Sequence, residues 1–295
     1  MQLEKKSEMP AITLRRSVLY VPANKPRALE KSRSLAADCV IYDLEDAVGP
    51  TAKTGAREYL VAFLAQEQSN DQERIVRINS LSSGWAEADV QALKHCAVDA
   101  VLLPKIRTAQ DIHAYRRLLG ERAETSPAFW LMLETAAGLL NLREIAVADD
   151  AIRVLVLGLE DLALETRIRR TPSRSGFMHF LSTAVLTARA HGLDVIDGVF
   201  TQLDDEAGFK AECQQALELG FDGKSLVHPR QIEICNHCFS PSQDDIRHAQ
   251  SVVSEWEQQS ALGLSVIVVE GRMVEQLHVN QAQRILARAA AASRS

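Results

Sequence analysis

Eight short apolar runs recur along the chain, and segments with helical patterning separate most of them. Several runs are continuous and rich in β-branched residues, a pattern typical of parallel strands that are buried on both faces. The runs span residues 17–21, 39–44, 75–78, 100–103, 129–133, 154–157, 195–200 and 224–227. This regular recurrence predicts eight strands that alternate with helices.

The segments between the runs carry apolar residues at helical spacing. Asn24 is placed to cap a first helix that has Pro26 in its opening turn, and glycines follow several helices as C-terminal breakers. Further helices are predicted over residues 52–64, 86–95, 109–119, 137–148 and 177–191.

Eight strand–helix units favour a TIM (β/α)8 barrel with a C-terminal helical extension. The alternative is an open, doubly wound parallel sheet with a similar number of strands. The barrel pattern ends near Pro229, and a helix at 244–260, an apolar run at 266–269 and a last helix at 274–291 follow it. We therefore expect a catalytic barrel domain over residues 11–239 and a helical arm over residues 240–295.

The composition excludes several classes of protein. Hydrophobic residues make up 46% and charged residues 24% of the chain, which excludes disorder over its whole length. No apolar run reaches the roughly 18 residues of a membrane span, and residues 1–10 lack the apolar core of a secretory signal. The net charge of −6 argues against a broad nucleic-acid surface. We expect a cytoplasmic protein without a nucleic-acid or membrane partner.

The cysteines predict reduced thiols. Their number, five, is odd, which argues against a disulfide framework in a chain of this length. Cys235 and Cys238 have CxxC spacing, but no second CxxC pair completes a zinc site.

Charged residues follow most of the predicted strands, at the positions that carry catalytic groups in a barrel. Closure of the barrel would bring these residues onto one face. Each charge alone is also common where a strand meets its loop, and Glu45 and Asp46 also fit a role at a helix start. In strand order the charged and polar residues are Asp43, Glu45 and Asp46, then Arg77 and Asn79, Lys105, Glu134, Asp161, Asp197 and His228.

This grouping of charges predicts a cation site and an anionic substrate. Carboxylates gathered in one pocket repel each other unless they are protonated or bridged by a cation. Oxygen ligands without thiolates suit Mg²⁺, or Mn²⁺ in its place. Arg77 beside them indicates a substrate carboxylate, because the guanidinium fork pairs with it through two hydrogen bonds.

The motifs at these positions resemble those of citrate lyase beta-subunit-like proteins, within the HpcH/HpaI aldolase superfamily. The resemblance extends from about residue 14 to residue 286. The matching motifs are RRSVLYVP at 15–22, DLEDAV at 43–48, RIN at 77–79, LPK at 103–105, ET at 134–135, Gly158 with Asp161-Leu162, DGV at 197–199, GFDGK at 220–224 with His228-Pro229, and GRMVE at 271–275.

The resemblance implies Mg²⁺-dependent cleavage of a carbon–carbon bond in a 3-hydroxyacyl-CoA thioester. It implies that Glu134 and Asp161 ligate the metal and that Glu134 also contacts the substrate. Arg77 would bind the substrate carboxylate and the developing oxyanion. By the same resemblance, Glu45 and Asp46 would hold metal-bound waters, Tyr20, Arg27, Lys31, Ser225 and Leu226 would contact CoA, and Glu275 would protonate the enolate carbon.

Two further expectations follow from the resemblance. Glu160 adds a carboxylate that competes with Asp161 for the metal. Relatives form trimers in which the C-terminal segment reaches over a neighbouring barrel, so we expect a homo-oligomer, a trimer first, whose arm packs on a neighbouring subunit.

The leading functional hypothesis is cleavage of citramalyl-CoA to acetyl-CoA and pyruvate, with malyl-CoA as another substrate. The alternative is a citrate lyase beta subunit that cleaves a citryl thioester on an acyl carrier protein to oxaloacetate. A third hypothesis, from another class, is a noncatalytic CoA-binding subunit.

Overall fold

The structure, a computed structural model, describes residues 12–66, 70–120, 126–260 and 264–293. The chain divides into two compact units. One runs from Arg15 to Phe239, and the other contains the residues before Arg15 and those from Ser240 onward. The predicted start of the barrel domain at residue 11 and the predicted end of the arm at residue 295 lie outside the described residues.

The first unit is a closed barrel of eight parallel strands in sequential order, in which β8 pairs with β1. The predicted TIM barrel is therefore confirmed, and the open sheet is excluded. The strands are β1 (Ser17–Pro22), β2 (Cys39–Asp43), β3 (Glu73–Arg77), β4 (Ala100–Leu103), β5 (Ala128–Leu133), β6 (Ile152–Leu157), β7 (Asp194–Asp197) and β8 (Gly223–Leu226).

Helices surround the barrel. They are α1 (Pro26–Ser32), α2 (Lys53–Leu64), α3 (Ala86–Leu93), α4 (Ala109–Leu119), α5 (Ala136–Leu140), α6 (Leu142–Ile145), α7 (Leu159–Thr166), α8 (Met178–Ala190), α9 (Glu206–Leu219) and α10 (Ile232–Phe239). The single helix predicted over 137–148 is wrong, because Asn141 leaves the helical conformation and separates α5 from α6.

The side chains of each strand alternate between two apolar layers. Leu19, Val21 and Val40 belong to the layer that the helices cover, whereas Val18 and Ile41 belong to the layer inside the barrel. Alternate residues of a strand point to opposite faces, so every second side chain points into the barrel.

The second unit contains α11 (Gln243–Ser260), a hairpin of β9 (Ile267–Val269) and β10 (Arg272–Val274), and α12 (Gln276–Ala292). The predicted start of the last helix at residue 274 is wrong. Val274 pairs with Ile267 in the hairpin, and the left-handed φ of 77° at Gly271 allows the turn between the strands.

Two expected absences can be checked in the described residues. No disulfide joins any of the five cysteines, all of which lie in the described part of the chain. Among the same residues, no helix is both long and apolar enough to cross a membrane.

A buried ionic cluster ties β7 and β8 to α9 and to the loop before α8. The Asp197 carboxylate accepts hydrogen bonds from Arg174 Nη1 at 2.7 and 2.9 Å and from Lys224 Nζ at 2.8 Å. Lys224 Nζ also donates to Glu212 at 2.6 Å. Burial alone would raise the pKa of Asp197, but Lys224 and Arg174 outweigh burial and hold that pKa below its ordinary value.

We predict that Asp197→Asn lowers the free energy of unfolding by about 3–5 kcal/mol at pH 7, because it leaves two buried cations under-compensated. Since the folded-state pKa of Asp197 is depressed, its stabilising effect is present above the unfolded pKa and is lost as the pH falls through the folded one. Urea unfolding at pH 7 and near pH 3 measures both effects.

The matched control is Asp204→Asn, because the Asp204 side chain is 99% exposed. We expect this control to change the unfolding free energy by less than about 0.5 kcal/mol. Equal effects of the two substitutions would show that the buried cluster does not stabilise the barrel.

Candidate active site

The inward alternation of the strands places the predicted site residues at one end of the barrel interior. Cys39 and Ile41 point inward on β2, so Asp43 does too, and Trp130 and Met132 on β5 lead in the same way to Glu134. On β3 the inward residue Ile75 leads to Arg77. The three charged groups therefore meet at the C-terminal ends of parallel strands, where barrel enzymes carry their chemistry.

Arg77 is held on a buried carboxylate. Its Nε and Nη2 donate to the two oxygens of Asp43 at 2.8 and 2.6 Å, a bidentate pair between adjacent strands. Its Nη1 lies 3.1 Å from Glu45 Oε2 and 3.8 Å from Asp46. The guanidinium plane is therefore fixed, and Nη1 is directed toward the predicted acidic residues.

A second group of charges surrounds the ammonium of Lys105. Lys105 Nζ lies 2.9 Å from Asp161, 3.5 Å from Glu134 Oε2 and 3.7 Å from Asp46. The backbone N–H of Lys105 donates to Glu134 Oε1 at 2.7 Å. The two carboxylates predicted to bind a metal thus converge on one cationic group.

Burial makes two of the carboxyl groups hard to ionise. It raises the pKa of Glu45 to about 8, against the opposing effect of Arg77. It also raises the pKa of Glu134 to about 7, against the opposing effect of Lys105. A bound cation would favour the ionised form of both groups, because opposite charge nearby stabilises a carboxylate.

Gly158 provides the space in which Glu134 lies. A Cβ atom at this position would lie 2.5 Å from Glu134 Cβ and 3.0 Å from Glu134 Oε2. Within the described residues, Glu134 Oε2 is buried and accepts no hydrogen bond. A carboxylate oxygen in this state is suited to a cation ligand.

The donor set fits a hard divalent cation. Glu134 and Asp161 offer oxygen atoms, and Mg²⁺ is commonly bound by one or two carboxylates together with water and substrate oxygens. The described residues contain no group of three or more His, Cys, Asp or Glu side chains able to hold a metal by themselves. Such a site would therefore be completed by water and substrate.

A cavity of about 430 Å³ opens beside these charges. Its charged lining includes Asp43, Asp46, Arg77 and Asp161. The cavity also has an apolar lining, which includes Pro22, Met132, Leu157, Val199 and Val227. The cavity can therefore take a molecule that has both an anionic group and a less polar part.

Tyr20 lies within the charged group. Its ring centroid is 5.0 Å from Arg77 Cζ, and its hydroxyl lies 3.4 Å from Met132 Sδ. Arg27 and Lys31 are exposed on α1, one helical turn apart. The three residues predicted to contact CoA therefore have different surroundings. Tyr20 lies beside Arg77, whereas Arg27 and Lys31 are exposed on the helix.

Ser225 and Leu226 are fully buried on β8. The Ser225 hydroxyl donates to the carbonyl oxygen of Asp197 at 2.9 Å, and Leu226 belongs to the apolar layer beneath the helices. Their contact with CoA stays a prediction, and neither residue is exposed to a ligand in this conformation.

Two neighbouring carboxylates on α7 point to different partners. Asp161 pairs with Lys105, whereas Glu160 forms an ion pair with Arg170. Asp161 is therefore the one placed beside Glu134.

Glu275 lies in the second unit, where it is the N-cap residue of α12. Its backbone N–H donates to His278 Nδ1 at 3.0 Å. Its predicted role as a proton donor stays a prediction.

Sequence reasoning underrated two residues of the site, Asp43 and Lys105. The sequence places both among the strand-end charges of the predicted cation site, but it does not predict that Asp43 holds Arg77 or that Lys105 lies between Glu134 and Asp161. The inward positions of Cys39 and Ile41 on β2 were a signal for Asp43.

Buried polar side chains form hydrogen bonds to the backbone of the loop after β2. Lys53 Nζ donates to the carbonyl oxygens of Leu44 and Glu45 at 2.8 and 2.7 Å, and Asn79 Nδ2 donates to that of Leu44 at 3.0 Å. Asp89 in turn accepts from the Asn79 backbone and side chain. These bonds fix the backbone that presents Glu45 and Asp46.

Comparison with known proteins gives relatives over nearly the full length. The chain is 43% identical over 276 residues to a protein of Cereibacter sphaeroides (strain KD131 / KCTC 12085) named (3S)-malyl-CoA thioesterase, with 94% of this chain and 95% of the relative covered. It is 34% identical to the citrate lyase subunit beta of Leuconostoc mesenteroides subsp. cremoris, with 92% of each covered.

A solved structure shows the same architecture. The CitE protein of Mycobacterium tuberculosis, in complex with magnesium, acetoacetate and coenzyme A, matches with a TM-score of 0.77 and 29% identity, over 93% of this chain and 97% of that one. Residues 16–229 match the HpcH/HpaI aldolase/citrate lyase family. The chain therefore belongs to the HpcH/HpaI aldolase/citrate lyase family.

Proposed function

We propose that the barrel is a Mg²⁺-dependent enzyme that acts on a short 3-hydroxy-dicarboxylyl-CoA thioester. The observation that carries the proposal is the convergence of Glu134 and Asp161 on one cationic group, beside the fixed guanidinium of Arg77. A cation between two carboxylates and an arginine next to it suit a ligand that has both a hydroxyl and a carboxylate.

Glu134 and Asp161 would hold the cation, and Glu45 and Asp46 would accept hydrogen bonds from its waters. When bound, the cation supplies Lewis-acid polarisation of the substrate oxygens. Mn²⁺ has similar ligand preferences and is proposed as a substitute. The magnesium in the similar CitE structure supports this assignment.

Arg77 would bind the substrate carboxylate through Nη1. Asp43 occupies Nε and one hydrogen of Nη2, so a ligand would bind Nη1, which also lies 3.1 Å from Glu45 Oε2, or the second hydrogen of Nη2. A guanidinium held in this way needs no reorganisation to stabilise negative charge that develops on the substrate. Arg27 and Lys31 on the exposed side of α1, together with Tyr20, Ser225 and Leu226, are proposed to contact the CoA moiety.

Two reactions fit this substrate class. We place hydrolysis of malyl-CoA to malate and free CoA first, because the relative with 43% identity is named a (3S)-malyl-CoA thioesterase. Carbon–carbon cleavage is second, with citramalyl-CoA or malyl-CoA as substrate. It is supported by the citrate lyase beta relatives and by similar structures bound to oxaloacetate or pyruvate.

In the cleavage reaction the released enolate of acetyl-CoA needs a proton, and Glu275 from the C-terminal arm of a neighbouring subunit is the proposed donor. The trimer and the packing of the arm on that subunit belong to the proposal in the same way. An acyl carrier protein belongs only to the alternative, a citrate lyase beta subunit.

The reaction is tested with the purified protein, Mg²⁺ and each of malyl-, citramalyl- and citryl-CoA. We expect free CoA and malate from malyl-CoA, and no turnover after chelation of the metal. Acetyl-CoA with glyoxylate or pyruvate would establish cleavage instead. No product from any substrate, with or without an acyl carrier protein, would contradict both reactions and favour the noncatalytic subunit.

We predict that Glu134→Gln and Asp161→Asn each lower kcat/KM by about 100-fold or more, because each removes a charged ligand of the cation. Steady-state kinetics and Mg²⁺ titrations measure the loss. The matched control is Glu160→Gln, which lies beside Asp161 but pairs with Arg170. A loss in the control as large as that in Asp161→Asn would reverse the assignment of the two carboxylates.

We also predict that Gly158→Ala lowers the rate while the barrel stays folded, because the added methyl group displaces Glu134. A displacement on the order of 1 Å at a reacting centre can cost about 100-fold. The control is Gly55→Ala in α2, where a Cβ would meet no atom within 4 Å. Kinetics together with circular dichroism separate a local from a global effect, and unchanged kinetics in Gly158→Ala would contradict the role of this space.

A further inference from the structure

We propose that Lys105 is the resident counter-ion of the cation site. Its ammonium holds the carboxylates of Glu134 and Asp161 together while no metal is bound, and it leaves them when a divalent cation enters. This inference rests on the proposed function, because it requires that these two carboxylates bind a cation.

The position of the ammonium is the first argument. Lys105 Nζ contacts Asp161 at 2.9 Å and lies 3.5 Å from Glu134 Oε2. It therefore occupies the space that a cation shared by these two carboxylates would need. An ammonium and a divalent cation repel each other, so both cannot remain at this place.

The balance of charge around the site is the second argument. Five carboxylates and two cationic side chains lie in one connected group of ion pairs. Without Lys105, Arg77 would be the one cationic member left in this group of ion pairs to offset the repulsion among its carboxylates. The group consists of Asp43, Glu45, Asp46, Glu134 and Asp161 with Arg77 and Lys105.

The third argument is that the backbone and the side chain of Lys105 contact different oxygen atoms. Its backbone N–H donates to Glu134 Oε1 at 2.7 Å, in a left-handed conformation with a φ of 54°. This hydrogen bond can persist when the ammonium moves. Oε1 would then stay fixed, and Oε2, which accepts no hydrogen bond from any described residue, would face the incoming cation.

A further carboxylate, Asp46, lies within reach of the displaced ammonium. The Lys105 side chain is 31% exposed, and Asp46, whose side chain is 58% exposed, lies 3.7 Å from Nζ. A four-carbon side chain with three rotatable donors can pass from Glu134 and Asp161 to the more exposed carboxylate of Asp46. Lys105 would thus weaken metal binding, and it would keep the carboxylates of Glu134 and Asp161 close together when no cation is bound.

The first test measures Mn²⁺ binding by electron paramagnetic resonance and Mg²⁺ binding by calorimetry, without substrate. Lys105→Met removes the competing charge and keeps a side chain of similar length, so we expect affinity to rise on the order of tenfold. Lys105→Arg keeps the charge and is expected to bind about as the unsubstituted protein does. Unchanged or weaker binding by Lys105→Met would overturn the proposal.

The second test uses the unsubstituted protein and does not depend on the folding of a variant. Reductive methylation followed by peptide mass spectrometry reports how accessible each lysine amine is. We expect saturating Mg²⁺ to increase methylation of Lys105 several-fold and to leave that of Lys210, which is exposed on α9, unchanged. Equal or slower methylation of Lys105 would contradict displacement.

The two tests separate this inference from the proposed function. A chain that binds neither Mg²⁺ nor Mn²⁺ would contradict the proposed function itself. A chain that binds them without a change at Lys105, and without a gain in Lys105→Met, would contradict only the role of Lys105.

Discussion

Closure of the barrel through β8 and β1 is the constraint on which the site depends. Lys224 donates its backbone N–H to the carbonyl oxygen of Arg16 at 3.0 Å, and the strands approach so closely that a Cβ on Gly223 would lie 1.8 Å from the carbonyl oxygen of Arg15. Only glycine allows this approach. Because the sheet closes here, the inward residues of separate strands face one another across a single space.

That space forces charges together, and the chain offsets their repulsion by pairing. Arg77 has Asp43 as a bidentate partner on the adjacent strand, and Lys105 lies between Glu134 and Asp161. The carboxyl groups that remain short of partners are the ones whose pKa burial raises, Glu45 and Glu134. Five carboxyl groups share the two cationic side chains of this group of ion pairs, a condition in which added divalent charge is favourable.

Much of this arrangement is predictable from the sequence because it follows from strand periodicity. Continuous apolar runs indicate buried parallel strands, and the charged residues that follow them lie at one end of a closed barrel. Arg77, Glu134 and Asp161 come together for this reason. The same periodicity does not describe α5 and α6, because a single residue, Asn141, leaves the helical conformation within an otherwise helical pattern.

Other features depend on local conformation that no periodicity encodes. Lys105 reaches both carboxylates from a left-handed backbone, which is uncommon for a residue other than glycine. Tyr20 lies against Arg77 because the side chain of an inward strand residue stays within the barrel. The Ser225 hydroxyl is engaged by the carbonyl group of Asp197, a contact across strands that the motif alone does not reveal.

The mixed lining of the cavity fits both of the proposed reactions. Hydrolysis breaks the bond between the thioester carbonyl and sulfur, and lysis breaks the carbon–carbon bond next to the hydroxyl. In the proposed function, both reactions would hold the hydroxy-acid end of the substrate at the cation site and Arg77. They differ in whether water or a proton donor reaches the thioester end, which the apolar lining of Leu157, Val199 and Val227 is suited to receive. Under the proposed function, the choice of reaction would be made away from the carboxylates, which is consistent with relatives that carry the names of a thioesterase and of a lyase subunit.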